Sequence, residues 1–138
     1  MQSLAGELRG SDLEIEVGKD LYIEADQGLL LQIFTALIEN SLSHGRRDDT
    51  PHRLSLRAAR KEETVELAVE DNGPGAPEEL VESLFDPFTS GKRPVGSGLG
   101  LFMVQSLMNR NIGGSIRYER SSMGGSAFIL SFPAPLAP

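Results

Sequence analysis

No cysteine occurs in the 138 residues, which rules out disulfides and thiolate metal sites and fits a cytoplasmic protein without demanding one. No excess of basic charge exists either: the formal net charge is −7 and the pI about 4.8. A nucleic-acid partner, which requires a basic face, is therefore not expected; a nucleotide needs only a few local donors and is not excluded. No run approaches the roughly eighteen apolar residues of a membrane span, and the N-terminus lacks the apolar stretch of a signal peptide. Internal repeats and long linkers are also missing. The expectation is a soluble, cytoplasmic piece, monomeric by itself, whether or not its parent is anchored in a membrane.

What is present suits one domain with one core, and 39% hydrophobic with 24% charged residues is ordinary for a globular chain. Residues 13–17 and 21–24 alternate apolar and polar side chains around Gly18-Lys19-Asp20 and predict a hairpin. Asp26 is placed to cap the helix predicted over residues 29–44, which holds no Pro or Gly and has apolar residues at helical spacing. Gly45 stops that helix. Strands are predicted over residues 53–59 and 64–70, a short helix over 77–84 with Pro77 in its first turn, and a loop over 86–95. A second long helix over 99–111 ends at Gly113-Gly114. Strands over 115–119 and 126–132 flank a turn at Met123-Gly124-Gly125. Two long helices with about six strands, in the order strands, helix, strands, helix, strands, predict an α+β fold. It is a two-layer sandwich: one mixed, mostly antiparallel sheet with helices over one face. Residues 1–12 read as a connection from an upstream domain, 13–132 as the domain itself and 133–138 as a frayed tail.

Asp71-Asn72-Gly73-Pro74-Gly75 stands at the exit of a predicted strand. Asp71 can accept a hydrogen bond from an exocyclic amine, and the two glycines let backbone approach a flat ring; the same residues also make an ordinary turn. On a helical wheel Asn40 falls inside the apolar arc of the first long helix and Glu39 outside it. Asn40 is either a core amide bonded to backbone or an oxygen ligand for Mg2+. Glu39 is either a solvated charge or a general base. His44, near the helix end, is a cap or a phosphate contact. Gly96-Ser97-Gly98-Leu99-Gly100 precedes the second helix, as a hinge or as a cradle of free amides for phosphate. Phe85 and Phe88 in Leu84-Phe-Asp-Pro-Phe88 are core anchors or anchors of a closing lid, in which Lys92 and Arg93 would reach a terminal phosphate.

Each motif is weak alone, but their order is specific. Leu37-Ile-Glu-Asn-Ser41, Asp71-x-Gly-x-Gly75, Leu84-Phe-Asp-Pro-Phe88, Gly96-Ser-Gly-Leu-Gly100 and Gly124-Gly125 resemble the N, first glycine, F, second glycine and third glycine boxes of sensor histidine kinases. More fully, they resemble the catalytic, ATP-binding domain of these bacterial kinases, within the superfamily that also holds gyrase, Hsp90 and MutL. The resemblance implies a Bergerat-type ATP-binding fold and assigns roles by position. Asp71 would bond the adenine amine, and Asn40 would ligate Mg2+ bridging the phosphates. Gly73 and Gly75 would admit the base. Gly96, Gly98 and Gly100, with Leu99, would form the hinge and the phosphate cradle, and Glu39 would activate the accepting imidazole.

Two positions depart from the pattern: Ala36 stands where many members carry Asn, and Ser43 where many carry Lys. The only histidines are His44 and His52, and neither lies in an upstream long helix beside an acidic neighbour. The acceptor histidine is thus expected on a separate dimerisation domain, which would then feed a response regulator. Two alternatives are kept: a nucleotide-sensing interaction module with little transfer activity, favoured by Ala36 and Ser43, and a protein-serine kinase of the anti-sigma type, disfavoured by the F box.

Overall fold

The computed structural model describes residues 11–18, 21–23, 25–44, 51–86 and 100–134. The elements are β1 (Ser11–Val17), α1 (Gln27–His44), β2 (His52–Lys61), β3 (Thr64–Asp71), a 3-10 helix (Glu78–Ser83), α2 (Gly100–Ser106), β4 (Ser115–Arg120) and β5 (Ser126–Pro133). α2 runs on into a π-helical stretch, Leu107–Ile112. One five-stranded sheet has the order β1-β2-β3-β5-β4. β1 pairs with β2 in parallel, and every other pair is antiparallel.

The parallel pair corrects the predicted hairpin. Leu13 lies opposite Leu54 and Ile15 opposite Leu56. The chain leaves the sheet at Gly18, whose N–H donates to the Ala58 carbonyl at 3.2 Å. Residues 21–23 form no strand; Ile23 instead packs on the core. Alternation over a few residues is shared by a strand and by an extended segment that buries every second side chain, so periodicity could not separate them. A parallel neighbour requires a crossover, and α1 supplies it. The described residues accordingly hold five strands rather than about six.

The remaining elements follow their local chemistry. Asp26 caps α1, accepting the Leu29 N–H at Oδ1 over 3.0 Å. The π-helical stretch ends where Gly113 turns left-handed at φ 82° and Gly114 N–H reaches the Met108 carbonyl at 2.9 Å. A side chain at Gly114 would strike the Ser131 carbonyl oxygen, so this glycine is required by the approach of β5. Pro133 belongs to β5, and Ala134 is buried with its N–H on the Glu63 carbonyl at 2.8 Å. These two residues, expected in the frayed tail, are therefore tied down.

Both long helices cover one face of the sheet. Ile33 and Leu37 of α1, with Val104 of α2 and Met108 just beyond it, are fully buried against Leu54, Val69, Phe128, Leu130 and Phe132. Each such side chain contributes about 2 kcal/mol, more than a typical single hydrogen bond, so this layer decides where the helices sit. On the other face Arg117 pairs with Glu66 at 3.2 Å and with Glu119 at 2.8 Å, and Lys61 lies 3.4 Å from Glu66. Burial pushes the Glu66 carboxyl up, but the hydrogen bond and charge of Arg117, aided by Lys61, outweigh it and hold the group below the usual carboxylate range. No helix among the described residues is long and apolar enough to cross a membrane.

Candidate functional site

Asp71 is the last residue of β3 and lies opposite Leu54 in the register. It shares a sheet face with Val65 and Val69 by the period of two, which points it toward the helical layer. The residue is 3% exposed, and a buried carboxylate is tolerable only if its oxygens are satisfied. Oδ1 accepts the Gly73 N–H at 2.9 Å and the Ser126 N–H at 3.1 Å. Oδ2 accepts the Ser41 hydroxyl at 3.0 Å. Ser41 Oγ in turn lies 3.1 Å from His52 Nε2. Thus α1, the start of β2 and the end of β3 meet in one buried chain, His52–Ser41–Asp71.

The loop after Asp71 is clamped from both sides. The Asn72 side chain accepts from Arg53 N–H and donates to the Pro51 carbonyl, each at 2.9 Å, fixing the loop to the start of β2. On the far side the Ala76 N–H donates to the Tyr118 hydroxyl at 3.0 Å and the Arg120 guanidinium to the Pro74 carbonyl at 3.0 Å. Tyr118 and Phe85 both meet the Phe128 ring edge-on, with centroids 5.4 and 6.2 Å away. Phe85 is therefore a core anchor that fixes the segment leading out of the 3-10 helix. Gly75 has φ 76°, and a Cβ there would run into the Arg120 guanidinium. The left-handed backbone favours that glycine, beyond any need to admit a ring.

Asn40 is half-buried on α1, directly before Ser41, and its amide has no hydrogen bond to any described residue. An amide oxygen in that position has the chemistry of a hard-cation ligand, which Mg2+ would complete with waters and phosphate oxygens. Glu39 is exposed, as its place outside the apolar arc requires. Gly100 opens α2, with nothing within 4 Å of where a side chain would start. Ser41, next to Asn40 in α1, is hydrogen-bonded to Asp71, and the Gly73 N–H is bonded to Asp71 itself. Lys92, Gly96, Gly98, Leu99 and Phe88 lie outside the described residues, as does the side chain of His44.

Four participants escaped the sequence reading. Ser41 ends the first quoted motif without a role there and His52 stands in none, and their link to Asp71 spans sequence separations of 11 and 30 residues. Ser126 acts through its backbone N–H, which no side-chain pattern reveals. Gly125 was visible as a glycine pair, but not its contact with Asp71.

Residues 25–136 match the family described as histidine kinase-, DNA gyrase B-, and HSP90-like ATPase. The signal transduction histidine-protein kinase AfsQ2 of Streptomyces coelicolor is 37% identical over 130 residues, which make up 92% of this chain and 23% of AfsQ2. Sensor histidine kinase component HK1 of Mycobacterium tuberculosis is 29% identical over 132 residues, 94% of this chain and 75% of HK1. Among solved structures, the nucleotide-free catalytic domain of histidine kinase ThkA superposes with a TM-score of 0.82 at 27% identity, over 95% of this chain and 85% of that one. The α+β sandwich described above is that of the histidine kinase ATPase domains.

Proposed function

The chain belongs to the histidine kinase-, DNA gyrase B- and HSP90-like ATPase family, and from that premise we propose that it binds ATP with Mg2+ and donates the γ-phosphoryl group to a histidine on a separate dimerisation domain. The observation that carries this reading is the Asp71 carboxylate, buried at a strand end and held by Gly73, Ser126 and Ser41. Such a group accepts from the 6-amino group of adenine without having to reorient. Gly73 and Gly75 belong to the loop that would meet the base.

Asn40 is the residue that would hold Mg2+, which supplies charge neutralisation at the phosphates. The amides of Gly96, Gly98, Leu99 and Gly100 are assigned to the phosphate chain by the sequence motif, and Lys92, in the loop before it, is the cation proposed to reach the terminal phosphate. In the transfer itself the bond between the γ-phosphorus and the β,γ-bridging oxygen breaks as an imidazole nitrogen of the acceptor bonds to phosphorus. Glu39, exposed on α1, takes the proton from the other ring nitrogen, whose N–H becomes acidic as the attacking nitrogen bonds to phosphorus; the electron pair of the broken bond leaves with ADP. Catalysis on this account is mostly positioning and electrostatics. The acceptor domain would then pass the phosphoryl group to a response regulator, in a two-component pathway whose machinery is cytoplasmic.

A second reading is favoured by Ala36. It is half-buried against the core and offers no polar group where many members have one, so a module that senses nucleotide with little transfer is the alternative. The experiment that separates them supplies a purified dimerisation domain in trans with γ-labelled ATP. Labelled acceptor supports the kinase; ATP binding without labelling favours the sensor.

A further inference from the structure

Ser41 has a single hydroxyl proton. The carboxylate at Asp71 Oδ2, 3.0 Å away, can only accept it. The contact of 3.1 Å between Ser41 Oγ and His52 Nε2 must then run the other way, with the ring N–H donating to the serine oxygen. The three residues are each 3% exposed, so water does not compete for these bonds. The chain is directional: His52 Nε2–H to Ser41 Oγ, and Ser41 Oγ–H to Asp71.

We propose that His52 is a specificity-determining positioning residue that locks the Ser41 hydroxyl onto Asp71 and so makes the site reject 6-oxo purines; this rests on the reading of Asp71 as the purine-recognition group. With the rotor locked, Asp71 and Ser41 have only acceptors to offer a base. A 6-amino purine donates into them. A 6-oxo purine brings its own carbonyl oxygen against a carboxylate and finds no donor. Were the hydroxyl free to swing, it could donate to that carbonyl and soften the rejection. His52 lies at the first residue of β2, and Asn72, bonded to Arg53 N–H at 2.9 Å, ties that strand end to the loop after Asp71. The lock is therefore built into the same sheet end that carries the carboxylate.

The test is calorimetric titration with ATP and with ITP, which differs at the purine 6-position, at one Mg2+ concentration. The wild-type chain should prefer ATP. In His52→Leu that preference should fall about fivefold, the scale of one lost hydrogen bond between neutral groups. His52→Gln places an amide N–H near the lost ring nitrogen and should restore the preference. In a Ser41→Ala background His52→Leu should change the ratio less than about twofold, because its effect runs through the hydroxyl. An unchanged ratio in folded His52→Leu, or an equal drop in the Ser41→Ala background, overturns the proposal. Should His52→Leu not fold, Ser41→Ala decides: about tenfold weaker ATP binding supports the lock, and wild-type affinity overturns it. A wild-type chain that binds neither nucleotide overturns the Asp71 reading and this one together, whereas ATP preference with an unmoved ratio overturns this one alone.

Discussion

Gly125 stands against Asp71 so closely that a single added carbon would collide with the Asp71 carboxylate, its carbonyl oxygen and the Gly73 nitrogen. The β4–β5 turn and the strand end thus fit only while position 125 has no side chain. Gly125→Ala should lose about 1–3 kcal/mol of stability, as overpacking does, and should lose ATP affinity more than tenfold because Asp71 is what must move. Chemical denaturation and calorimetry check the two halves separately. A stable variant with wild-type ATP affinity would show that the contact has slack.

Asn40 offers an amide oxygen that is not tied to any described residue. Asn40→Ala should therefore leave the fold intact and ATP binding in EDTA unchanged, while removing most of the gain that Mg2+ gives. The measurement is ATP affinity with and without the metal. An undiminished response to Mg2+ in the variant would take the metal role away from Asn40.

Glu39 is exposed beside Asn40. Glu39→Gln should bind ATP normally and slow transfer to a supplied acceptor domain by about 10²- to 10³-fold, the usual scale for removing a general base. A wild-type single-turnover rate would reduce it to a surface charge.

The pH response of the open sheet face follows from Glu66. Its carboxyl is held below the usual range despite burial, chiefly by Arg117. A depressed folded pKa stabilises the fold above the unfolded value of about 4.5 and stops doing so as pH falls through the folded value. Glu66→Gln should thus be less stable than wild type at neutral pH by at most about 1 kcal/mol, since the partners are partly solvated. The gap should close below pH 4.5. A gap that persisted or grew in acid would reverse the assignment.

Local signals carried most of the fold. Asp26 announced the start of α1, Gly113-Gly114 the end of the last helix, and the alternation of Val65, Leu67 and Val69 the strand that delivers Asp71. What stayed hidden was non-local. Ile15 alternates with glutamates whether its partner is residues 21–24 or Leu56, and only the crossover by α1 selects the latter. Ser41 and His52 become partners of Asp71 because β2 and α1 converge on the end of β3, a juxtaposition with no periodicity to betray it. Gly75 was legible as a glycine favoured by its backbone, but its neighbour Arg120 comes from a hairpin 45 residues onward.

The central claim is that Asp71 recognises the purine. Titrating ATP into the wild-type chain and into Asp71→Asn, with thermal unfolding to confirm that both are folded, tests it most directly. The account predicts saturable binding to the wild type and at least a hundredfold weaker binding to the variant, roughly what a mismatched buried polar contact costs. Equal affinities in two folded proteins would contradict it.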